Sequence, residues 1–158
     1  MKLIKHYQER LVFGLSKREQ SQLLNVLTLY PRVPPAHHRL SKTGCLPQPV
    51  EAQKLLEEAL AEQRRDNRKT LELFLSAPGR FTESATSSRF TLSETEAEWL
   101  LQILNDVRIG SWVLIGSPEN VLKALTPQTA PSISAMEIAG FFQANLLQAL
   151  SEGSATSL

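Results

Sequence analysis

A chain of 158 residues, 42% apolar and 21% charged, can bury one hydrophobic core without disulfides or metals and is too apolar to be disordered. Its 17 Lys plus Arg against 16 Asp plus Glu leave a net charge of +1, which excludes a global field drawing in nucleic acid or an anionic membrane. The lone Cys45 excludes an internal disulfide framework and fits a reducing compartment.

Met1-Lys2-Leu3-Ile4-Lys5-His6-Tyr7 has no continuous apolar run, so it does not read as a secretory signal. Leu3 to Tyr7 and Leu11-Val12-Phe13-Gly14-Leu15 read as short strands, although Gln8-Glu9 is not a favoured hairpin turn. Ser16-Lys17-Arg18-Glu19 is a capping box. The Ser hydroxyl accepts from the amide three residues on, and the Glu reaches back to the Ser amide. A helix over 17–30 follows, stopped by Pro31. The loop at 31–47 holds His37, His38 and Cys45. Zinc takes three or four protein ligands, and no Cys pair or helical His pair supplies the rest. No metal and no cofactor are expected.

A helix is expected over 49–75, apolar at both ends and charged in the middle. Glu62 and Arg65, Asp66 and Lys69, and Arg68 and Glu72 are helical neighbours of opposite sign, as on a solvated face. The alternative is a ridge of Arg64, Arg65, Arg68 and Lys69 on phosphates. Neither interleaved aromatics nor a glycine loop supports it. Residues 76–88, with Pro78-Gly79 and then Ser and Thr, read as loop.

Arg89-Phe90-Thr91-Leu92 is a strand leading into a second capping box, Ser93-Glu94-Thr95-Glu96, and a helix over 94–115. Glu94, Glu96 and Glu98 suit the positive end of that helix. Shifted by about 77 positions, Phe13, Leu15, Ser16, Glu19 and Leu23 fall on Phe90, Leu92, Ser93, Glu96 and Leu100. Strand, cap and amphipathic helix are written twice, by duplication or by convergence, and the two strands should be neighbours in one ribbon.

On a helical wheel Ala97, Leu100, Leu101, Leu104, Val107 and Ser111 form one stripe. From Val107 onward Ile109, Val113 and Leu114, with Trp99 below, form a second. This helix should therefore be the central and most buried one. Arg108 falls on the first stripe and Asp106 on the second, where a charge must be paired or hydrogen-bonded. Either loop and cap groups satisfy them, or they floor a cleft that meets a partner. Gly110 in mid-helix points to close approach of a neighbouring element.

Leu104-Asn105-Asp106-Val107-Arg108-Ile109-Gly110, behind Leu92-Ser93-Glu94-Thr95-Glu96-Ala97-Glu98, resembles the central motif of a bacterial family of uncharacterised domains often encoded beside the protease adaptor ClpS. Phe141-Phe142-Gln143, Leu146-Leu147 and Ala149-Leu150 agree in kind. Trp112 stands where that pattern usually has an Arg. The resemblance implies a mostly helical fold. It carries no known activity and no catalytic residues.

Ser117-Pro118-Glu119-Asn120 should open a short helix to about Leu125, and 126–132 is loop. A third capping box, Ser134-Ala135-Met136-Glu137, should open a helix over 134–151, leaving 152–158 as a disordered tail. The longest near-apolar run, 107–116, is far short of a span of about 20 residues.

The expected fold is mainly α: a single domain over 1–151, a bundle of about five helices with a minor two- or three-stranded β-ribbon. The expected function is that of a non-enzymatic, cytoplasmic interaction or regulatory protein, linked to regulated proteolysis. A protein partner is expected and a homodimer is open. Asn105, Asp106, Arg108 and Trp112 are the candidate structural or partner-binding residues. No catalytic residue is assigned. The alternatives are a nucleic-acid-binding regulator using the stretch from Arg64 to Lys69, or a small enzyme with its site around Asp106 and Arg108.

Overall fold

The computed structural model describes residues 1–35 and 49–156. Leu11, Phe13 and Leu15 are buried while their neighbours face outward, the period-2 pattern of strand β2 (Arg10–Ser16). Phe90 and Leu92 do the same in β4 (Ser87–Ser93). Beside them lie β1 (Lys2–Tyr7) and β3 (Phe81–Glu83). The four strands form one antiparallel sheet in the order β1-β2-β4-β3. Four helices complete the described chain: α1 (Lys17–Leu27), α2 (Pro49–Ser76), α3 (Glu94–Leu114) and α4 (Ala130–Thr156).

This is an α+β fold. It replaces the expected five-helix bundle with a minor ribbon. Phe81-Thr82-Glu83 is too short to show alternation, and the Pro78-Gly79 turn that reads as loop is what delivers it to the sheet edge. Gln8 and Glu9 close the first hairpin with φ of 46° and 60°, the left-handed pair that a two-residue turn requires. The fifth helix is reduced to a 3₁₀ turn, Leu122–Ala124. Gly116 and Ser117 both take positive φ, and their amides bond back to Val113 and Trp112. Ser117 is thereby spent ending α3 and does not cap a new helix. The start of α4 moves to Ala130, where Thr126 and Thr129 exchange side-chain-to-backbone bonds and Pro131 fits the first turn. Ser134 is inside the helix, which runs past Ser151 to Thr156.

Both other capping boxes form. Ser16 and Ser93 accept from Glu19 N and Glu96 N at 3.1 Å, and each Glu reaches back to its Ser amide at 2.8 Å. Ser16→Ala and Ser93→Ala are each expected to lower stability by about 1 kcal/mol in urea melts, because each strands an amide. A neutral Ser93 variant would mean that α3 is held by packing alone.

The echo has a direct geometric form. Phe13 pairs with Phe90, and the register runs symmetrically from Arg10↔Ser93 to Ser16↔Ser87. The strand order is symmetric about that pair, with β1-β2 on one side and β4-β3 on the other, and β2 and β4 each lead into a capped helix. The correspondence extends to the caps: Glu19 also meets the Met1 amino group, and Glu96 also meets Arg80. One face of the sheet carries the core, where Phe13, Phe90, Leu100, Leu104, Phe142 and Leu146 are almost wholly buried. Among the described residues, none of α1 to α4 is long and apolar enough to cross a membrane.

Candidate functional site

Asp106, with Arg64 and Arg68 of α2, converges on one short piece of chain. Residues 30–33, beyond α1, lie between α2 and α3 and reach the start of α4. Asp106 Oδ1 accepts from Arg32 N at 2.6 Å and Val33 N at 3.3 Å. From α2, Arg64 donates to Val33 O at 2.7 Å and Arg68 to Tyr30 O at 2.9 Å. Asn67 bridges the Tyr30 hydroxyl and the Trp99 indole N–H. Arg32 then donates to Ser132 on α4. The backbone groups of an irregular, half-buried segment must find partners, and charged side chains supply them here. Burial pushes the Tyr30 phenol up and the Arg32 guanidinium down. Gly110 lets the segment come this close, since a Cβ there would meet the Arg32 carbonyl carbon at 2.4 Å.

Asp106 is therefore half-buried under a loop. Asp106→Ala leaves two backbone donors short of an acceptor and is expected to cost about 1.5 kcal/mol, since water reaches part of the site. A thermal melt checks this, and an unchanged midpoint would place the segment elsewhere.

Arg108 corrects the wheel. The residue is exposed rather than buried in the apolar stripe. The side chain runs past Gly140, where a Cβ would lie 4.0 Å from its Cδ, and donates to Gln143 Oε1 at 3.1 Å. A long stem crosses an apolar face and delivers its charge to water. Asn105 is exposed, and Trp112 donates its indole N–H to Pro118 O at the turn after α3. Asp106, Arg108 and Trp112 thus serve different local contacts and do not form one site. Ile109 and Val113 are half-buried and Leu114 exposed, so the second apolar side of α3 is only partly covered. His37, His38 and Cys45 lie outside the described residues. Among the described residues, no three His, Cys, Asp or Glu side chains are grouped to hold a metal.

Two features lay beyond the sequence reading. The first is Arg80, buried at 8% exposure. It forks onto both carboxylate oxygens of Glu96, donates to Phe74 O and Thr91 O, and lies 3.8 Å over the Phe74 ring. An apolar groove of about 480 Å³ between α2 and α3 opens beside it, lined by Leu73, Phe74, Ala77 and Trp99.

The second is the sheet face opposite the core. Pairing of Lys2 with Gly14, Lys5 with Val12, Arg10 with Ser93, and Arg89 with Gly14 puts all four cations on that face. All four are exposed, and among the described residues none has a salt-bridge partner. Among the described residues, no outward-facing strand position carries a carboxylate. Glu83 pairs opposite the buried Ser88 and is engaged by Gln20 and Lys17 on the helix side. Between the cations lie two apolar side chains, Ile4 and Val12. A bulge between Leu3 and Lys5 turns Ile4 across Gly14, where an added Cβ would meet Ile4 Cδ1 at 3.2 Å, and Val12 lies alongside. A depression of about 520 Å³ lies over part of this area, lined by Ile4, Lys5, Tyr7, Val12, Arg89 and Thr91, while Arg10 stands beside it. The signal was present in the alternation Arg10-x-Val12-x-Gly14 and Arg89-x-Thr91, but a net charge of +1 conceals a local cluster of four.

The chain matches no family model, no curated protein and no solved structure. The resemblance to domains encoded beside ClpS thus rests on the residues that carry it.

Proposed function

We propose that this chain is a non-enzymatic interaction protein that docks a protein partner on the open face of its sheet, in a setting of regulated proteolysis. The observation that carries the reading is the face itself: four exposed cations, none with a salt-bridge partner among the described residues, around Ile4 and Val12. A soluble domain gains nothing in folding from such an arrangement, whereas a docking surface gains speed and orientation from it. The polar groups that supported the rival readings have internal duties. Arg64 and Arg68 are committed to carbonyls of residues 30–33, which removes half of the basic ridge from phosphate contact. Asp106 serves the same segment, so it is not poised with Arg108 for catalysis. The setting rests on the motif around Asn105, Asp106 and Arg108 alone.

The test is capture of a tagged chain's partners from its host, compared by mass spectrometry with an Arg10→Glu, Arg89→Glu double variant. A second control, Arg65→Glu with Lys69→Glu, reverses charge on the exposed side of α2. Proteins lost with the first variant and kept with the second support the reading, and protease or adaptor subunits among them support the setting. Identical sets from all three remove the face from the function.

A further inference from the structure

We propose that the open sheet face binds an acidic protein segment carrying an apolar side chain between two carboxylates. This rests on the interaction reading above and names the chemistry of its partner. Arg10 and the position opposite Arg89 are four residues apart on β2, so the two guanidinium stems stand about 13 Å apart along the sheet. Lys5 lies beside Val12, midway between them, and Lys2 lies beside Gly14. The cations thus surround Val12 and Ile4 rather than forming a continuous track.

A ligand matched to this pattern has separated negative charges and an apolar group between them. Glu-x-Leu-x-Glu in extended form spans the same four-residue distance. The apolar side chain would cover Ile4, which is 46% exposed, while the carboxylates meet Arg10 and Arg89. Single-stranded nucleic acid fits less well. Its binders stack successive bases on aromatic platforms, and among the described residues this face offers one aromatic side chain, Tyr7, at the end of β1. A second copy of the chain is disfavoured, because an isologous contact through this face would set the four cations against themselves.

The experiment measures fluorescence anisotropy of the full chain with three labelled probes: a peptide repeating Glu-Ser-Leu-Ser-Glu, the same peptide with Leu replaced by Ser, and an oligo-dT of similar charge. The Leu peptide should bind, and binding should weaken steeply with added salt. The Ser peptide should bind about tenfold more weakly, as the loss of one buried apolar side chain implies. Arg10→Glu with Arg89→Glu should abolish binding while melting like the parent, because both side chains are exposed. Lys2→Gln with Lys5→Gln, at the sheet edge, should weaken it in the same direction and guards against a folding defect in the first variant. Tighter binding of oligo-dT than of the Leu peptide would overturn the proposal in favour of nucleic acid. Equal binding of the two peptides would remove the apolar element. Failure of the peptides to bind, with face-dependent capture from the host intact, would overturn the acidic partner and leave the interaction reading standing. Failure of both would end both.

Discussion

Arg80→Ala is expected to destabilise the fold by about 3 kcal/mol. The guanidinium stands where β3, β4, α2 and α3 meet. Its removal takes the donor from the Thr91 carbonyl, leaves the Phe74 carbonyl with only the long bond from Ala77 N, and opens a gap against the Phe74 ring. Glu96 loses its bidentate partner but keeps the Ser93 amide, and its carboxylate is 38% exposed, so water relieves part of the penalty. Arg80→Lys should recover little, because one ammonium cannot serve four acceptors in two directions. Urea unfolding at neutral pH checks both variants. A loss under about 1 kcal/mol for the Ala variant would put this ion pair with ordinary surface pairs.

The same contact fixes a pH dependence. Hydrogen bonds from Arg80, then from the Ser93 amide, hold the Glu96 carboxyl below its usual value of 4.5 against the opposing effect of burial. A depressed folded value means that the stabilisation is present above the unfolded value and is lost as pH falls through the folded one. Parent stability should therefore decline from about pH 4.5 downward, and Arg80→Ala should flatten that decline. Parallel acid profiles for the two chains would contradict the assignment.

Gly110→Ala is expected to cost about 2 kcal/mol, although in an exposed helix the same change gains about 1. The added methyl carbon would fall 2.4 Å from the Arg32 carbonyl carbon and 2.6 Å from Val33 N. Those are backbone atoms held by Asp106, Arg64 and Arg68, and they have no rotamer by which to move aside. Relief requires residues 30–33 to shift, which lengthens the hydrogen bonds on both sides. Gly110→Ala and Asp106→Ala should then combine with less than additive cost, since each loosens the same segment. A stabilised Gly110→Ala chain would mean that the segment does not lie against α3.

What the sequence made legible was what local chemistry specifies. Ser16 and Ser93 each mark a helix start because a hydroxyl and a Glu three residues on satisfy amides that nothing else nearby can reach. The matched spacing around Phe13 and Phe90 also foretold that β2 and β4 would be neighbours. Asp106 was legible as a charge needing donors, though not which ones. The failures share a cause, which is that the deciding partner is remote. Three residues at Phe81–Glu83 become a strand only because β4 offers an edge. Ser117 resembles a cap until the end of α3 claims its backbone. Arg80, in a stretch that reads as turn, takes its meaning from carbonyls and a carboxylate on three other elements. The cations of the open face look balanced along the chain and separate by sign only when the strands are aligned.

The pairing of Phe13 with Phe90 also bears on how the chain reaches this state. Each outer hairpin closes locally, but the ladder at the middle of the sheet joins segments separated by α1 and the whole of α2. The entropy of closing that long loop is lost before its side chains gain any burial. Despite its helical content, the protein should therefore fold on the slower timescale of non-local β topologies, with the meeting of the two hairpins as the late event.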